Sequence, residues 1–222
     1  MKKDFVINAD TTKALMKIGE MINNVPNINL NNLIADETIL IIVDLINGFA
    51  IKGALSSPRV GELINPIANF ILKAKEAGIK TMAFKDAHTK NSKEFDSFPE
   101  HCLDGTYESE IVEEVNKLGI DIIVPKNSTN GFVARDFEEL KEEILSKYKN
   151  FIIVGDCTDI CVIQFAQTLK AYFNEYDFEK RIIVPTTLVD TFEFDMHDAT
   201  LTNVMSLYLM KSMGIEIVKE IV

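Results

Sequence analysis

The sequence is short of positive charge and of long apolar runs, and each shortage disfavours a class of protein. Its 222 residues include 23 lysines and arginines against 34 aspartates and glutamates, which gives a formal net charge of −11. Nucleic acids and anionic membrane surfaces attract basic patches, so neither is an expected partner. The longest apolar stretch, residues 38–46, contains Asp44 and is too short to span a bilayer.

The chain is also short of cysteine and has no repeats. Its three cysteines, Cys102, Cys157 and Cys161, cannot form an even disulfide framework. The N-terminus shows no secretory pattern of a basic segment followed by an apolar one, so we expect a protein of the reducing cytoplasm. No internal repeat or low-complexity tract is present, and the length suits one large α/β domain with a sizeable core.

Residues 1–37 are predicted to form an extension that precedes the main domain, which covers 38–222. Asp10, Thr11 and Thr12 offer an N-cap, and the apolar residues that follow recur at helical spacing. We interpret this segment as one amphipathic helix. It is expected to pack onto the main domain or onto a partner subunit and to have no chemistry of its own.

From residue 38 onward, apolar β-branched runs alternate with helical patterns. Strands are predicted at 39–45, 79–84, 120–124, 151–154, 181–185 and 215–218. Helices are predicted at 58–77, 109–118, 137–147, 163–169 and 195–213. Continuous apolar strands separated by helices are typical of a parallel sheet covered on both faces. The expected fold is therefore α/β, a three-layer α/β/α arrangement of Rossmann-like type around a mostly parallel six-stranded sheet.

Polar residues follow four of these strands. They are Asp44 after the first strand, Asp86 and His88 after the second, Lys126 after the third and Cys161 after the fourth. In open parallel sheets, ligands bind beyond the carboxyl ends of the strands. We therefore expect these side chains to converge on one edge of the sheet.

Cys161 is the candidate nucleophile. It follows a buried strand and a sharp turn and lies where a helix begins. That position favours the thiolate and leaves backbone N–H groups free to face an oxyanion. A buried Asp44 could accept the thiol proton, and Lys126 could hold the pair electrostatically. The alternative is that a cysteine at such a junction is only packed and that Lys126 is a solvated surface charge.

Two of the three histidines lie in the loop after the second strand. In the segment Asp86-Ala87-His88 the first and third side chains share one side, and His101 could complete a site with open positions. Two histidines and one carboxylate suit zinc, iron(II) or manganese. Glu94 and Cys102 are further candidates, although Cys102 is expected to pack inward. The alternative is that the histidines are polar surface residues.

Three motifs together give the sequence a resemblance to a known family. Residues 155–162 match Gly-x-x-Thr-Asp-x-Cys-Val throughout, and residues 98–106 match Trp-Pro-x-His-Cys-x-x-Gly-Thr with Phe98 in place of tryptophan. Residues 44–49 match Asp-x-Gln-Asn-Asp-Phe, except that Ile46 and Gly48 replace the Gln and the second Asp. Over residues 38–218 the chain resembles the isochorismatase-like cysteine hydrolases, and among them the nicotinamidases most closely.

The resemblance implies a catalytic role for each residue of one group. Cys161 would be the nucleophile, Asp44 its base, and Lys126 the residue that stabilises the charges. The backbone N–H groups of Cys157 and Cys161 would form the oxyanion hole, beside a cis peptide bond between Asp156 and Cys157.

The resemblance also implies a metal site and a ring-binding pocket. A divalent ion, zinc before iron or manganese, would be held by Asp86, His88 and His101, with Glu94 as an extra acidic ligand, directly or through water. An aromatic ring of the substrate would be flanked by Phe49 and Phe98, although either residue could equally serve core packing.

The implied reaction is hydrolysis of a small carboxamide through a cysteine thioester, here nicotinamide to nicotinate and ammonia as in NAD salvage, by a homo-oligomer. Another amide or a carbamoyl compound is the alternative substrate, because Ile46, Gly48 and Phe98 depart from the family near the expected pocket. A catalytically silent binding protein is the alternative of another class, which the intact catalytic trio disfavours. His197, between the capping candidates Asp195 and Asp198, is expected to be structural.

Overall fold

The computed structural model describes residues 6–222, so residues 1–5 of the predicted extension lie outside the described part. Six strands form one sheet in the order β3-β2-β1-β4-β5-β6, and every neighbouring pair is parallel. The strands are β1 Thr38–Val43, β2 Lys80–Asp86, β3 Ile122–Lys126, β4 Asn150–Gly155, β5 Arg181–Pro185 and β6 Glu216–Val218. The predicted α/β fold is confirmed, and the sheet is parallel throughout rather than mostly parallel.

Helices cover both faces of the sheet. They are α1 Ala9–Asn23, α2 Asn47–Ala50, α3 Pro58–Glu62, α4 Ile64–Glu76, α5 Glu113–Asn116, α6 Arg135–Lys147, α7 Ile163–Glu175 and α8 Ala199–Ser212. Side chains alternate along a strand, so β1 contributes to two cores. Its odd-numbered residues pack with α6, α7 and α8, and its even-numbered residues pack with α4 and α5. Every residue of β1 and β4 is buried, which explains their unbroken apolar sequences.

The strand order places a crevice where the site residues were predicted. β1 pairs with β2 on one side and with β4 on the other. Strands β2 and β3 are added on one side of β1 and strands β4 to β6 on the other, so the strand order switches between β1 and β4. At the carboxyl end Val43 is aligned with both Phe84 and Gly155. Loops that leave neighbouring strands in opposite directions open a binding crevice.

Two strands extend further than predicted, and this extension positions two site residues. β2 continues to Asp86 and β3 to Lys126, and the two residues are register partners. Their opposite charges compensate each other inside the sheet, so neither strand needs to end at its last apolar residue. β3 also begins later than predicted, because Asp121 accepts hydrogen bonds from the Thr81 backbone N–H (2.9 Å) and hydroxyl (2.7 Å).

Several predicted helix boundaries are wrong. The helix predicted at 58–77 is two helices, α3 and α4, that meet at Leu63; Pro66 lies in the first turn of α4, where a missing N–H is tolerated. The helix predicted at 109–118 is only the four-residue α5. The helix predicted from 195 begins at Ala199, because Asp198 accepts a hydrogen bond from the Leu201 N–H (2.7 Å) and therefore caps it.

The extension packs onto the rest of the chain. Helix α1 begins after Asn8 rather than in the predicted capping segment 10–12, since the Asn8 side chain accepts a hydrogen bond from the Thr11 N–H (3.0 Å). Helix α1 packs against α8. The following segment pairs with the C-terminus, where Ile28 forms a parallel bridge with Ile221. Within residues 6–222 no helix is both long and apolar enough to cross a bilayer.

Candidate active site

Asp44, Lys126 and Cys161 lie together at the carboxyl edge of the sheet. Lys126 Nζ is 2.8 Å from Asp44 Oδ2 and 3.7 Å from Cys161 Sγ, and it also donates to Asp86 Oδ1 and to the Ser128 carbonyl (3.1 Å). Lys126 and Asp44 are fully buried, and Cys161 is 6% exposed. Among the described residues neither Asp44 oxygen has a well-aligned hydrogen-bond donor. The Asp44 carboxylate lies within 4.8 Å of the Cys161 thiol, and its Oδ1 has no hydrogen bond among the described residues and can take a proton.

Burial dominates the acid–base chemistry of this group. It raises the pKa of Asp44 to about 7; the charge of Lys126 lowers it in part, and that of Asp86 raises it further. Burial also raises the pKa of the Cys161 thiol well above its ordinary value, against the opposing charge of Lys126. For Lys126, burial lowers the pKa, but the charges of Asp44 and Asp86 outweigh burial and leave the pKa well above its ordinary range. The position at a helix start was expected to favour the thiolate, and burial of the thiol acts against that effect.

A tight turn after β4 presents the thiol. Residues Thr158–Val162 form a π-helical turn that leads directly into α7, and Cys161 lies within that turn rather than in the first turn of an α-helix. The turn needs Gly155, whose φ is +113° and where an added Cβ would lie 2.0 Å from the Val43 carbonyl oxygen. A side chain at this position would collide with β1.

The backbone around Cys157 agrees with the resemblance. The peptide bond between Asp156 and Cys157 is cis. The neighbouring N–H groups of Thr158, Ile160 and Val162 are already used, the first by the Asp190 carbonyl (3.0 Å) and the other two by the Cys157 carbonyl (3.1 Å each). The oxyanion role of the Cys157 and Cys161 N–H groups stays a prediction.

A second cluster lies beside the first and has the composition of a metal site. Asp86, His88, Glu94 and His101 each place a ligand atom within 4.8 Å of the others. His88 Nε2 lies 3.4 Å from Asp86 Oδ2 and 3.7 Å from Glu94 Oε1, and His101 Nε2 lies 3.9 Å and 3.8 Å from the same two atoms. Tetrahedral zinc with bonds of about 2.1 Å separates its ligand atoms by about 3.4 Å. The cluster could therefore hold a divalent ion.

Both histidines present the correct nitrogen for metal binding. His88 Nδ1 is 3.3 Å from Asn127 Oδ1, and the Thr89 N–H donates to the same oxygen (3.0 Å), so that oxygen is an acceptor and Nδ1 carries the proton. His101 Nδ1 donates to the Pro99 carbonyl (2.8 Å). The two Nε2 lone pairs thus face the cluster, and His88 Nε2 is a buried atom without a hydrogen bond among residues 6–222. An orphaned nitrogen of this kind fits a metal ligand.

A small, largely apolar cavity of about 160 Å³ joins the two clusters. Its reactive wall includes Asp86, Glu94, His101 and Cys161. Its apolar wall includes both predicted ring contacts, Phe49 and Phe98, together with residues that the sequence did not point to, namely Leu55, Ile160, Phe192 and Phe194. Phe49 and Phe98 lie 5.8 Å and 6.2 Å from the His101 ring. The cavity has room for one small ring and a carboxamide.

Of the three departures from the family motifs, only Phe98 borders this cavity. Ile46 is fully buried and bridges to Ile111 instead. Gly48 packs against Cys102, since an added Cβ there would lie 2.5 Å from Cys102 Sγ. Cys102 is buried, burial raises the pKa of its thiol far above the ordinary value, and it is absent from the metal cluster, so the expectation that it packs inward is met.

Several functional candidates were missed from the sequence. Asn127 and Ser92 orient His88, and Phe95 lies 5.4 Å from the His88 ring. Phe192 and Phe194 follow β5, and the rule that site residues follow parallel strands could have identified them if applied to that fifth strand.

Comparisons with known proteins agree with this geometry. A family model described as the isochorismatase domain matches residues 38–214. Nicotinamidase 1 of Arabidopsis thaliana is 26% identical in an alignment 211 positions long, and the match covers 82% of this chain and 85% of that protein.

Solved structures share the same fold. A pyrazinamidase of Pyrococcus horikoshii, solved in complex with zinc, is 25% identical with a TM-score of 0.64, and the match covers 82% of this chain and 99% of that chain. An N-carbamoylsarcosine amidase from Thermoplasma acidophilum is 21% identical with a TM-score of 0.65, and the match covers 82% and 96% of the two chains. A nicotinamidase/pyrazinamidase from Bacillus subtilis is 22% identical with a TM-score of 0.66 and coverage of 82% and 99%.

Proposed function

Because the chain belongs to the isochorismatase-like hydrolase family, we propose that it is a metal-containing cysteine amidohydrolase that converts nicotinamide to nicotinate and ammonia, a step of NAD salvage. The observation that carries the proposal is the convergence of two clusters on one small cavity. A thiol with a buried carboxylate and its lysine partner lies on one side, and two histidines with two carboxylates lie on the other.

Asp44 is the base in this mechanism. The resting thiol is protonated, and the nearby Asp44 carboxylate has a pKa of about 7, so it accepts the Cys161 proton near neutral pH. Lys126 lies within reach of both groups and remains charged, which stabilises whichever of the two is the anion.

The reaction then proceeds in two halves. Cys161 Sγ attacks the carboxamide carbon, and the oxyanion that forms faces the N–H groups of Cys157 and Cys161. Protonated Asp44 returns its proton to the leaving nitrogen, the C–N bond breaks, and ammonia departs from a thioester on Cys161. Asp44 next takes a proton from water, which attacks the thioester, releases the carboxylic acid and restores the thiol.

Asp86, His88, His101 and Glu94 would hold the divalent ion, with zinc as the proposed metal. The bound ion would supply a Lewis-acid anchor for a ring nitrogen of the substrate. The chain's own contribution is orientation: Asn127 and the Pro99 carbonyl fix the two imidazoles, and Phe49 and Phe98 border the space for the ring.

The test is ammonia release from nicotinamide by the purified metal-replete protein, beside a Cys161→Ala variant and a chelated sample. We expect turnover that is lost in the variant and falls with chelation. Cys102→Ala is the matched control, because that buried cysteine belongs to neither cluster. We expect it to keep its activity.

Two other substrates are assayed in parallel, because the family motif is altered at Phe98, which borders the cavity. A carbamoyl amine and an aliphatic amide are supplied at the same concentration as nicotinamide. Turnover of either one in preference to nicotinamide would replace the proposed substrate and keep the mechanism. No turnover of any amide, with Cys161 inert to a thiol probe, would instead support a silent binding protein.

A further inference from the structure

One side of the cavity's apolar wall comes neither from the π-helical turn 158–162, here termed the nucleophile turn, nor from the loop that carries His88, Glu94 and His101. This side comes from residues 190–198, here termed the aromatic loop, which connects the end of β5 to α8. Phe192 and Phe194 of this loop line the same cavity as Phe49 and Phe98. Phe194 is 72% exposed and therefore lies at the mouth, whereas Phe192 is half-buried.

Phe192 is held by His197. The two rings are stacked face to face, with centroids 3.9 Å apart and an angle of 5° between their planes. His197 Nδ1 lies 3.0 Å from the Phe192 carbonyl, and His197 Nε2 lies 2.8 Å from Asp159 Oδ2. Asp159 belongs to the π-helical turn that presents Cys161. A single imidazole therefore connects the aromatic loop to the nucleophile turn.

The rest of the aromatic loop is fixed at both ends. Asp190 Oδ1 accepts hydrogen bonds from Arg59 Nη2 (2.8 Å) and Asn203 Nδ2 (2.7 Å), and its backbone carbonyl accepts one from the Thr158 N–H. Near the other end Glu193 Oε2 accepts a hydrogen bond from the Ala199 N–H (2.7 Å), at the start of α8. These contacts hold the loop in place, and the stack on His197 holds the Phe192 ring.

We propose that Phe192 is a specificity-determining residue that makes the cavity select flat aromatic amides over aliphatic ones, and that His197 is its positioning residue. The inference rests on the proposed function and deepens it by naming the residue that selects aromatic substrates. Contact between a planar ring and an aromatic wall adds to affinity beyond the buried area, whereas an aliphatic amide gains only the area. Without the stack on His197, the half-buried Phe192 ring could rotate, and the ring-to-ring contact with the substrate would be lost.

The test measures KM and kcat for nicotinamide, and the competitive inhibition constant of the aliphatic isobutyramide, in Phe192→Ala, His197→Ala and the double variant. We expect Phe192→Ala to raise KM for nicotinamide roughly 3- to 10-fold with kcat nearly unchanged. The isobutyramide constant should rise by a clearly smaller factor, because the aliphatic amide loses only buried area. His197→Ala should shift the same constants in the same direction. The double variant should be no worse than Phe192→Ala alone, because both changes remove one interaction.

Phe178→Ala is the matched control. Phe178 is an exposed phenylalanine that stacks on Tyr176 and does not line the cavity. We expect its KM for nicotinamide to be that of the wild type, and thermal melts of all variants verify that they are folded.

Three results would overturn the inference, and they are distinguishable. An equal change for nicotinamide and isobutyramide would show that Phe192 has no selectivity for rings. A fall in kcat with KM unchanged in His197→Ala would show that the imidazole braces the nucleophile turn and does not position Phe192. Wild-type protein that is inactive on nicotinamide would overturn the proposed function, and this inference with it.

Discussion

Replacing Lys126 by Met should destabilise the protein strongly and in a pH-dependent way. Lys126 is 2% exposed and neutralises two buried carboxylates, Asp44 at 2.8 Å and Asp86, its register partner in the sheet. Methionine has a similar length, so the change removes the charge with little loss of packing. Removing one partner of a buried ion pair costs about 3–5 kcal/mol, since the remaining charge stays uncompensated.

The pH dependence gives the sign of the effect. In the wild type, burial acts to raise the pKa of Asp86, but Lys126 and His88 together outweigh burial and lower the pKa below its ordinary value. Its stabilising contribution is therefore present at neutral pH and is lost as pH falls through the folded-state pKa. In the variant both carboxyls have raised pKa values and take up protons in the folded state, so acid relieves the cost. The difference in free energy of unfolding should therefore shrink from pH 7 towards pH 4.

The assay is urea unfolding of the chelated protein at both pH values, with Lys180→Met as the matched control. Lys180 donates to the carbonyls of Leu145 and Tyr148 and has no carboxylate partner within residues 6–222. We expect its replacement to cost only about 1–2 kcal/mol, equally at both pH values. Adding Asp44→Asn to Lys126→Met should recover part of the lost stability. A loss below about 1 kcal/mol in Lys126→Met, unchanged by pH, would refute the reasoning, because it would mean that the two carboxylates are not desolvated.

Three other perturbations follow from the same contacts. The alkylation rate of Cys161 in chelated protein should rise with pH through a one-proton step near 7, because Asp44 then becomes the carboxylate base. The step should be absent in Asp44→Asn, and a step unchanged in that variant would contradict the assignment of the base. Gly155→Ala should cost about 3 kcal/mol or more in urea unfolding, because its Cβ would collide with β1, whereas Gly19→Ala in α1, with nothing within 4 Å, should add about 0.5–1 kcal/mol; equal effects would contradict the geometry. Burial acts to raise the pKa of Asp121, but hydrogen bonds from Lys80 and Thr81 outweigh burial and lower the pKa to about 2. Asp121→Asn should therefore lower the melting temperature at pH 7, and by progressively less as pH falls from about 4 towards 2. A difference in melting temperature that stays constant with pH would contradict this prediction.

The fold and the pairing of Asp44 with Cys161 were predictable because both depend on local pattern. Unbroken apolar strands separated by helices require a parallel sheet with two covered faces, and polar residues that follow such strands must meet at one edge. The strand-end rule placed Asp44 and Cys161 without any knowledge of register.

The ends of β2 and β3 and the conformation of the aromatic loop could not be predicted, because they depend on contacts between residues distant in the sequence. The extension of β2 and β3 to Asp86 and Lys126 follows from their mutual compensation across the sheet, which no local window shows. The aromatic loop has no periodic pattern, and its conformation is set by Asp159 and by Arg59, which contacts Asp190 from 131 positions earlier in the chain. His197 was predicted to be structural, but the sequence did not show its partner, the ring of Phe192, which lines the cavity.

The most direct measurement is the mass of the protein after rapid acid quenching during turnover of nicotinamide. A thioester on Cys161 would add the mass of one nicotinoyl group to the peptide that contains residues 155–162, and hydroxylamine would remove it. We expect this adduct in the wild type and in Cys102→Ala, and its absence together with loss of ammonia release in Cys161→Ala. Ammonia release that survives Cys161→Ala, with no adduct in the wild type, would contradict covalent catalysis by this cysteine.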